Sequence, residues 1–170
     1  MHKLRDASGD SEEDLKRKLE ETAGKGTVYV LGLGNTDRAD DGAGVMVALA
    51  LKKLFPSNSY SEHDGVEGTV LDISERREDA AVIFVDAANL GEPPGTIKIV
   101  TRDRIRDTEI TTHRVAVALM ASVLDKAGLK SAVVCIQPAQ IKFQGKVSTQ
   151  VARSVKLITK TLGEVMAEKD

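Results

Sequence analysis

The chain has 170 residues, 41% of them hydrophobic and 29% charged, and a formal net charge of −2. This balance supplies one ordinary hydrophobic core and excludes an intrinsically disordered chain. The near-neutral charge and the scarcity of aromatic residues argue against a nucleic-acid partner, and the lone Cys135 excludes an intramolecular disulfide and a cysteine-based zinc cage. No apolar run approaches the roughly 20 residues that span a bilayer. The charged N-terminus is unlike a signal peptide, so we expect a cytoplasmic protein without membrane insertion.

The first 26 residues differ in composition from the rest, because thirteen of them are Asp, Glu, Lys or Arg. A capping-box signal and a thin apolar stripe formed by Leu15 and Leu19 predict a helix over residues 11–22. We expect residues 1–26 to be a charged surface extension that is partly helical. Residues 27–170 are expected to form a single domain.

From Thr27 onwards, short apolar runs alternate with amphipathic stretches. In chain order, the pattern predicts a strand over 28–33, a helix over 45–55, a strand over 59–63, a helix over 69–77, strands over 81–85 and 96–100, a helix over 113–126, a strand over 132–136 and a helix over 147–165. This alternation predicts an α/β fold, a three-layer αβα sandwich. We expect a twisted, mostly parallel sheet of about five strands, with the strand over 96–100 antiparallel at an edge.

Polar residues follow the predicted strands at the sheet edge where open parallel sheets bind ligands. Asp40 and Asp41 lie in the loop after the first strand, and Asp86 ends the third. If these two strands are neighbours, Asp41 approaches Asp86, and His113 joins them if its helix begins at the same edge. Two carboxylates and one imidazole suit zinc or nickel and leave a coordination position open.

Each of these candidates has an ordinary structural alternative. Asp40 or Asp41 can cap the helix that follows the loop. Asp86 can hold a loop by accepting backbone hydrogen bonds. His113 can be a helix-start residue that packs against the core.

A nucleotide site is a further alternative, because Gly32-x-Gly34 after a strand begins like a dinucleotide-binding fingerprint. The third glycine of that fingerprint would fall on Asp37, whose carboxylate would repel a pyrophosphate. The acidic loop therefore favours a cation over a nucleotide.

Six segments occur in a fixed order along the chain: Gly32-Leu33-Gly34-Asn35, Asp40-Asp41-Gly42-Ala43-Gly44, Val85-Asp86-Ala87, residues 89–97, Thr111-Thr112-His113 and Ile136-Gln137-Pro138. Together they resemble the nickel–iron hydrogenase maturation endopeptidases, over about residues 27 to 162. The resemblance is closest to the branch that serves formate-hydrogenlyase-type and related membrane-bound hydrogenases.

The resemblance implies an aspartyl-type endopeptidase that acts on a hydrogenase large-subunit precursor. Such an enzyme removes a short C-terminal extension from the precursor after nickel has been inserted, and a monomer is expected. The family's catalytic and metal-contacting positions fall on Asp41, Asp86 and His113, the trio that the strand-end argument also selects.

Four further residues are weaker candidates for substrate recognition, namely Asn35, Asp40, Asp64 and Gly65. Asp64 and Gly65 correspond to an Asp-Gly-Gly-like segment of part of the family. Val66 replaces its second glycine here, so we expect substrate recognition to differ in detail at this point.

Two mechanisms are compatible with these residues. In the first, Asp41, Asp86 and His113 transiently bind nickel carried by the precursor, and water activated by the metal or by a carboxylate cuts the peptide bond. In the second, the two aspartates share a proton, as in aspartic proteases. We favour the first because an imidazole suits a metal site better than a carboxylate pair. A non-catalytic metal- or nucleotide-binding module on the same fold is the functional alternative.

Overall fold

The computed structural model describes residues 9–105 and 114–169. Its helices and strands are, in chain order, α1 (Glu12–Ala23), β1 (Thr27–Gly32), α2 (Ala43–Lys52), β2 (Ser59–Ser61), α3 (Val66–Glu75), β3 (Ala80–Ala87), β4 (Ile97–Thr101), α4 (Arg102–Ile105), α5 (Arg114–Lys126), β5 (Lys130–Ile136) and α6 (Thr149–Ala167). Two short 3-10 helices, Ala39–Gly42 and Glu62–Asp64, lie in the loops that follow β1 and β2. Within this described part of the chain, no helix is long and apolar enough to cross a membrane.

The five described strands form one sheet in the order β2-β1-β3-β5-β4. The pairs β1–β2, β1–β3 and β3–β5 are parallel. Strand β4 pairs antiparallel with β5 and lies at the edge. The predicted sheet of about five strands with one antiparallel edge strand is therefore confirmed.

Helices cover both faces of this sheet, because alternate side chains of each central strand enter two separate cores. Along β1, Val28 and Val30 join the core that α1, α2 and α6 cover. Tyr29 and Leu31 join the opposite core, which is covered by α3 and α5. The predicted three-layer αβα arrangement is confirmed.

Helix α1 is an integral part of the first core. The predicted helix is present, but the expectation of a surface extension is wrong. Leu15 and Leu19 are completely buried among residues of α6 and the sheet. Just before the helix, Asp10 donates its N–H to the Ile97 oxygen at 2.7 Å and accepts the Ile99 N–H on its carboxylate at 2.7 Å. The apolar stripe of α1 contains few residues, but they are enough to bury one side of the helix. They pack in the same core as residues of α2, α6 and the sheet.

Helix α2 begins unusually close to the sheet, and Gly44 allows this approach. A Cβ added at Gly44 would lie 2.1 Å from the Val85 oxygen and 2.5 Å from the Leu33 oxygen. Only a residue without a side chain fits there. The start of α2, and the loop leading into it, are thereby held against the carboxyl ends of β1 and β3.

Candidate active site

The pairing of β1 with β3 brings the acidic loop after β1 beside the end of β3. Gly32 lies in register with Val85, and the Leu33 N–H donates to the Val85 oxygen at 2.8 Å. Asp86 is the next residue of β3 and is completely buried. The condition set by the sequence, that the first and third strands are neighbours, is met.

Gly34 lies between the two aspartates. Its φ angle is +123°, which disfavours any residue with a side chain. A Cβ added at Gly34 would lie 1.9 Å from the Asp41 main-chain oxygen and 3.9 Å from Oδ1 of Asp86. The main chain of Asp41 and the carboxylate of Asp86 therefore converge on this one glycine.

The Asp41 carboxylate is oriented by the loop that carries it. The Asn35 N–H donates to Oδ2 of Asp41 at 3.1 Å and also approaches the Asp41 main-chain oxygen at 3.2 Å. Asp41 is 9% exposed, whereas Asp86 is 0% exposed. Of the two carboxylates, Asp41 is the one that an incoming group reaches first.

Cys135 lies beside Asp86 in the sheet, since the two residues are in register on β5 and β3. Burial raises the pKa of the Cys135 thiol to about 12, and the neighbouring charge of Asp86 adds to the increase. A thiol with this pKa is protonated at neutral pH and is a poor nucleophile. The chemistry at this edge of the sheet therefore belongs to the carboxylates.

His113, the third member of the predicted trio, lies outside the described residues, as do Thr111 and Thr112. The described part of α5 begins at Arg114, directly after His113. Among the described residues, no group of three His, Cys, Asp or Glu side chains could hold a metal ion. Asp41 and Asp86 alone therefore do not form a complete metal site.

Glu62 is a further carboxylate of this region that was not among the predicted site residues. It lies in the 3-10 helix after β2 and is half-buried. Its Oε1 accepts a hydrogen bond from the Gly34 N–H at 3.4 Å. The signal that could have identified it is its position after a strand at the same edge of the sheet.

The Asp40 carboxylate anchors a distant loop. It is completely buried, and no side-chain cap is formed at the start of α2. Its Oδ2 accepts from the N–H groups of Ala139 and Gln140, at 2.8 and 3.2 Å, and from Oγ of Ser148 at 2.9 Å. Its Oδ1 accepts the Ser148 N–H at 2.7 Å. Because both oxygens are engaged within the chain, this geometry supports a structural role for Asp40.

The other three candidates for substrate recognition differ in what they leave accessible. Asn35 is exposed, and its side-chain oxygen accepts the Asp37 N–H at 2.8 Å. Asp64 forms an ion pair with Lys52 at 2.7 Å, and this hydrogen bond lowers the pKa of the Asp64 carboxyl. Gly65 is exposed with a φ of +76°, and an added Cβ would have no neighbour within 4 Å. Asn35 and Gly65 are open to a ligand, whereas Asp64 is engaged by Lys52.

Two of the family-like segments, residues 89–97 and 136–138, contact each other. Oε1 of Gln137 accepts the Leu90 N–H at 2.5 Å, and the Gln137 main-chain oxygen accepts the Gly95 N–H at 2.8 Å. Gln137 is nearly buried. These segments therefore support one another in the loop that follows β3.

Comparison with known families assigns this chain to a class. Residues 66–165 match the family model HycI, described as hydrogenase maturation protease. This match covers more than half of the chain. The protein therefore belongs to the hydrogenase maturation protease family.

Solved structures of this class share the fold. The crystal structure of the HycI [NiFe] hydrogenase maturation protease of Thermococcus kodakarensis superposes with a TM-score of 0.73 at 24% identity, over 88% of this chain and 99% of that one. The solution structure of the HycI endopeptidase of Escherichia coli gives a TM-score of 0.65 at 23% identity, over 81% and 90% of the two chains.

Curated relatives carry related descriptions. A putative hydrogenase maturation protease of Methanocaldococcus jannaschii is 26% identical over 151 residues, which is 83% of this chain and 89% of that protein. The hydrogenase expression/formation protein HupD of Thiocapsa roseopersicina is 39% identical over 80 residues. That second match covers 46% of this chain and spans only 36% of the relative's length.

Proposed function

We propose that this protein is the endopeptidase that removes the C-terminal extension of a nickel–iron hydrogenase large-subunit precursor after nickel insertion. The observation that carries the proposal is the convergence of Asp41 and Asp86 on Gly34 at the junction of β1 and β3. Membership of a maturation protease family supports a peptide bond as the target. The same membership argues against a non-catalytic metal- or nucleotide-binding module.

In this proposal, Asp41, Asp86 and His113 contact nickel that the precursor carries. Two oxygen donors and an imidazole are ligands that a divalent transition metal accepts. Three protein ligands leave a coordination position that the substrate can complete, which suits transient binding. The enzyme then acts on a precursor that has already been loaded.

Hydrolysis requires a group that takes a proton from the attacking water. Asp41 is suited to this role because it is slightly exposed and its carboxylate is oriented by the Asn35 N–H. Asp86 is fully buried, so in this proposal it reaches the substrate only if the loops at this sheet edge move when the precursor binds. Asn35 and Gly65 are the exposed residues that we propose to contact the precursor's main chain.

A carboxylate pair that shares a proton is the second candidate mechanism, and it would use the same two aspartates at the junction of β1 and β3. The two mechanisms differ in whether an unloaded precursor is cut. The formate-hydrogenlyase-type branch, a monomeric state and a cytoplasmic location stay predictions.

Substitution of two members of the trio tests the proposal. We expect Asp41→Asn and His113→Ala each to lower processing of the purified precursor by about 100-fold or more, because each removes a group that contacts the reacting centre. Mass spectrometry of the precursor measures the loss of the C-terminal peptide. Asp72→Asn, which removes an exposed carboxylate of α3, is the matched control and should process normally.

Circular dichroism and thermal unfolding should show that both variants remain folded. Normal processing by both Asp41→Asn and His113→Ala would contradict the proposal.

A further inference from the structure

The loop between β5 and α6 exposes two large apolar side chains near the site. Ile141 is 42% exposed and Phe143 is 72% exposed. Both lie in residues 139–148, the segment that Asp40 anchors. We refer to residues 139–148 as the anchored loop.

The anchored loop is attached to the turn that carries the site at several points besides the Asp40 carboxylate. The Gln144 N–H donates to the Asp37 oxygen at 2.7 Å, and the Asp40 N–H donates to the Gln140 oxygen at 3.2 Å. A Cβ added at Gly145 would lie 3.0 Å from the Cβ of Ala39, so the two backbones are in close contact. The anchored loop and the segment leading to Asp41 therefore form one continuous surface.

The backbone of the anchored loop is held in place by more hydrogen bonds than local turns alone would supply. A buried carboxylate that accepts four hydrogen bonds fixes the loop's backbone. The apolar side chains of Ile141 and Phe143 are nevertheless exposed. Exposed aromatic side chains on a fixed backbone are typical of binding surfaces, because little conformational entropy remains to be lost on association.

The charge of the anchored loop indicates the chemistry of its partner. Lys142 and Lys146 are both exposed, and residues 139–148 contain no Asp or Glu. In the described part of the structure, neither lysine forms an ion pair. A segment that carries apolar side chains together with carboxylates would complement this surface.

Building on the proposed function, we propose that the anchored loop is a docking surface for the hydrogenase large-subunit precursor. The occupant is an extended precursor segment beside the cleaved bond, with apolar side chains against Ile141 and Phe143 and carboxylates facing Lys142 and Lys146. Because Asp40 joins this surface to Asp41, docking there presents the adjoining peptide bond to the site.

Leu54 and Lys53 provide a matched control patch. Leu54 is 74% exposed and follows an exposed lysine, as Phe143 does. This pair lies just beyond the C-terminal end of α2, whereas the site lies at the start of that helix. Phe143→Ser and Leu54→Ser therefore remove comparable exposed apolar surface, the first beside the turn that precedes α2 and the second beyond the C-terminal end of α2.

The test combines precursor binding and steady-state processing for the wild type, these two variants and one lysine variant of each patch. We expect Phe143→Ser to lower kcat/KM about tenfold, mainly through KM, and to weaken precursor binding to the same extent. Lys142→Glu should weaken binding and reduce its salt dependence, whereas Lys53→Glu should do neither. Leu54→Ser should match the wild type.

Equal affinity of the wild type and Phe143→Ser for the precursor would overturn the docking proposal, and so would an equal loss in Leu54→Ser. A change in oligomeric state on Phe143→Ser, measured by analytical ultracentrifugation, would also overturn it by assigning the surface to a second copy of the chain. Failure of the wild type to cut a precursor that it binds would contradict the proposed function. The binding comparison would still decide the docking proposal in that case.

Discussion

Gly34 is the residue on which Asp41 and Asp86 converge, and its lack of a side chain is what permits this. We expect Gly34→Ala to lower the free energy of unfolding by at least about 2 kcal/mol, because its φ of +123° is strained for alanine and the new Cβ would meet the Asp41 oxygen at 1.9 Å. The displaced Asp41 should also reduce precursor processing. Urea unfolding and the processing assay measure the two effects.

Gly68 is the control for this substitution, since it lies within α3 and an added Cβ meets nothing within 4 Å. We expect Gly68→Ala to be neutral or to stabilise the protein by about 0.5–1 kcal/mol. If Gly34→Ala kept both the stability and the activity of the wild type, the arrangement around Gly34 described above would be wrong.

Single residues were predictable from sequence only where local position implied their role. Asp41 and Asp86 follow from the rule that polar residues at the carboxyl ends of neighbouring parallel strands lie together. The role of Asp40 could not be predicted in this way. Its partners Ala139 and Ser148 lie 99 and 108 residues away, and no local pattern connects them.

Among the elements, α1 illustrates the limit of an amphipathic pattern. The capping signal and the apolar spacing correctly predict the helix, and Ser11 does accept the Asp14 N–H at its start. Its burial was not predictable, because a stripe of few apolar residues does not reveal whether another element offers a matching face. In this protein, α6 and the sheet offer the matching apolar face.

Truncation of this stripe should therefore destabilise the whole protein. We expect Leu19→Ala to lower the free energy of unfolding by about 2–5 kcal/mol, the usual result of a large-to-small change in a core. Leu54→Ala, at a 74% exposed position, should change it by less than about 0.5 kcal/mol. Urea unfolding compares the two, and equal stability of the two variants would show that α1 is not part of the core.

The strands were the most predictable elements, because β3 and β5 each contain a continuous run of apolar residues that is buried on both faces of the sheet. The residues at which strands end were less predictable. Strand β2 ends at Ser61, two residues before the predicted end, because Glu62 begins a 3-10 helix. A capping box between Ser61 and Asp64 caps the start of this helix. That reciprocal pair replaces strand pairing with local hydrogen bonds.

For the whole molecule, the alternation of strands and helices predicts the layers, but it does not determine which strands pair. The order β2-β1-β3-β5-β4 places β1 between β2 and β3 in the sheet, and the site lies where β1 and β3 meet. The strand-end argument needed this pairing as a condition. Only the three-dimensional packing supplies it.

The central claim is that Asp41 and Asp86 form part of a site that recognises nickel in a hydrogenase precursor and directs cleavage of its C-terminal extension. Mass spectrometry of a large-subunit precursor incubated with the protein, with and without prior nickel loading, tests this most directly. We predict the loss of a discrete C-terminal peptide from the loaded precursor alone. Equal cleavage of the unloaded precursor would contradict nickel recognition and favour the proton-sharing carboxylate pair, and the absence of cleavage from both would contradict the proposed function.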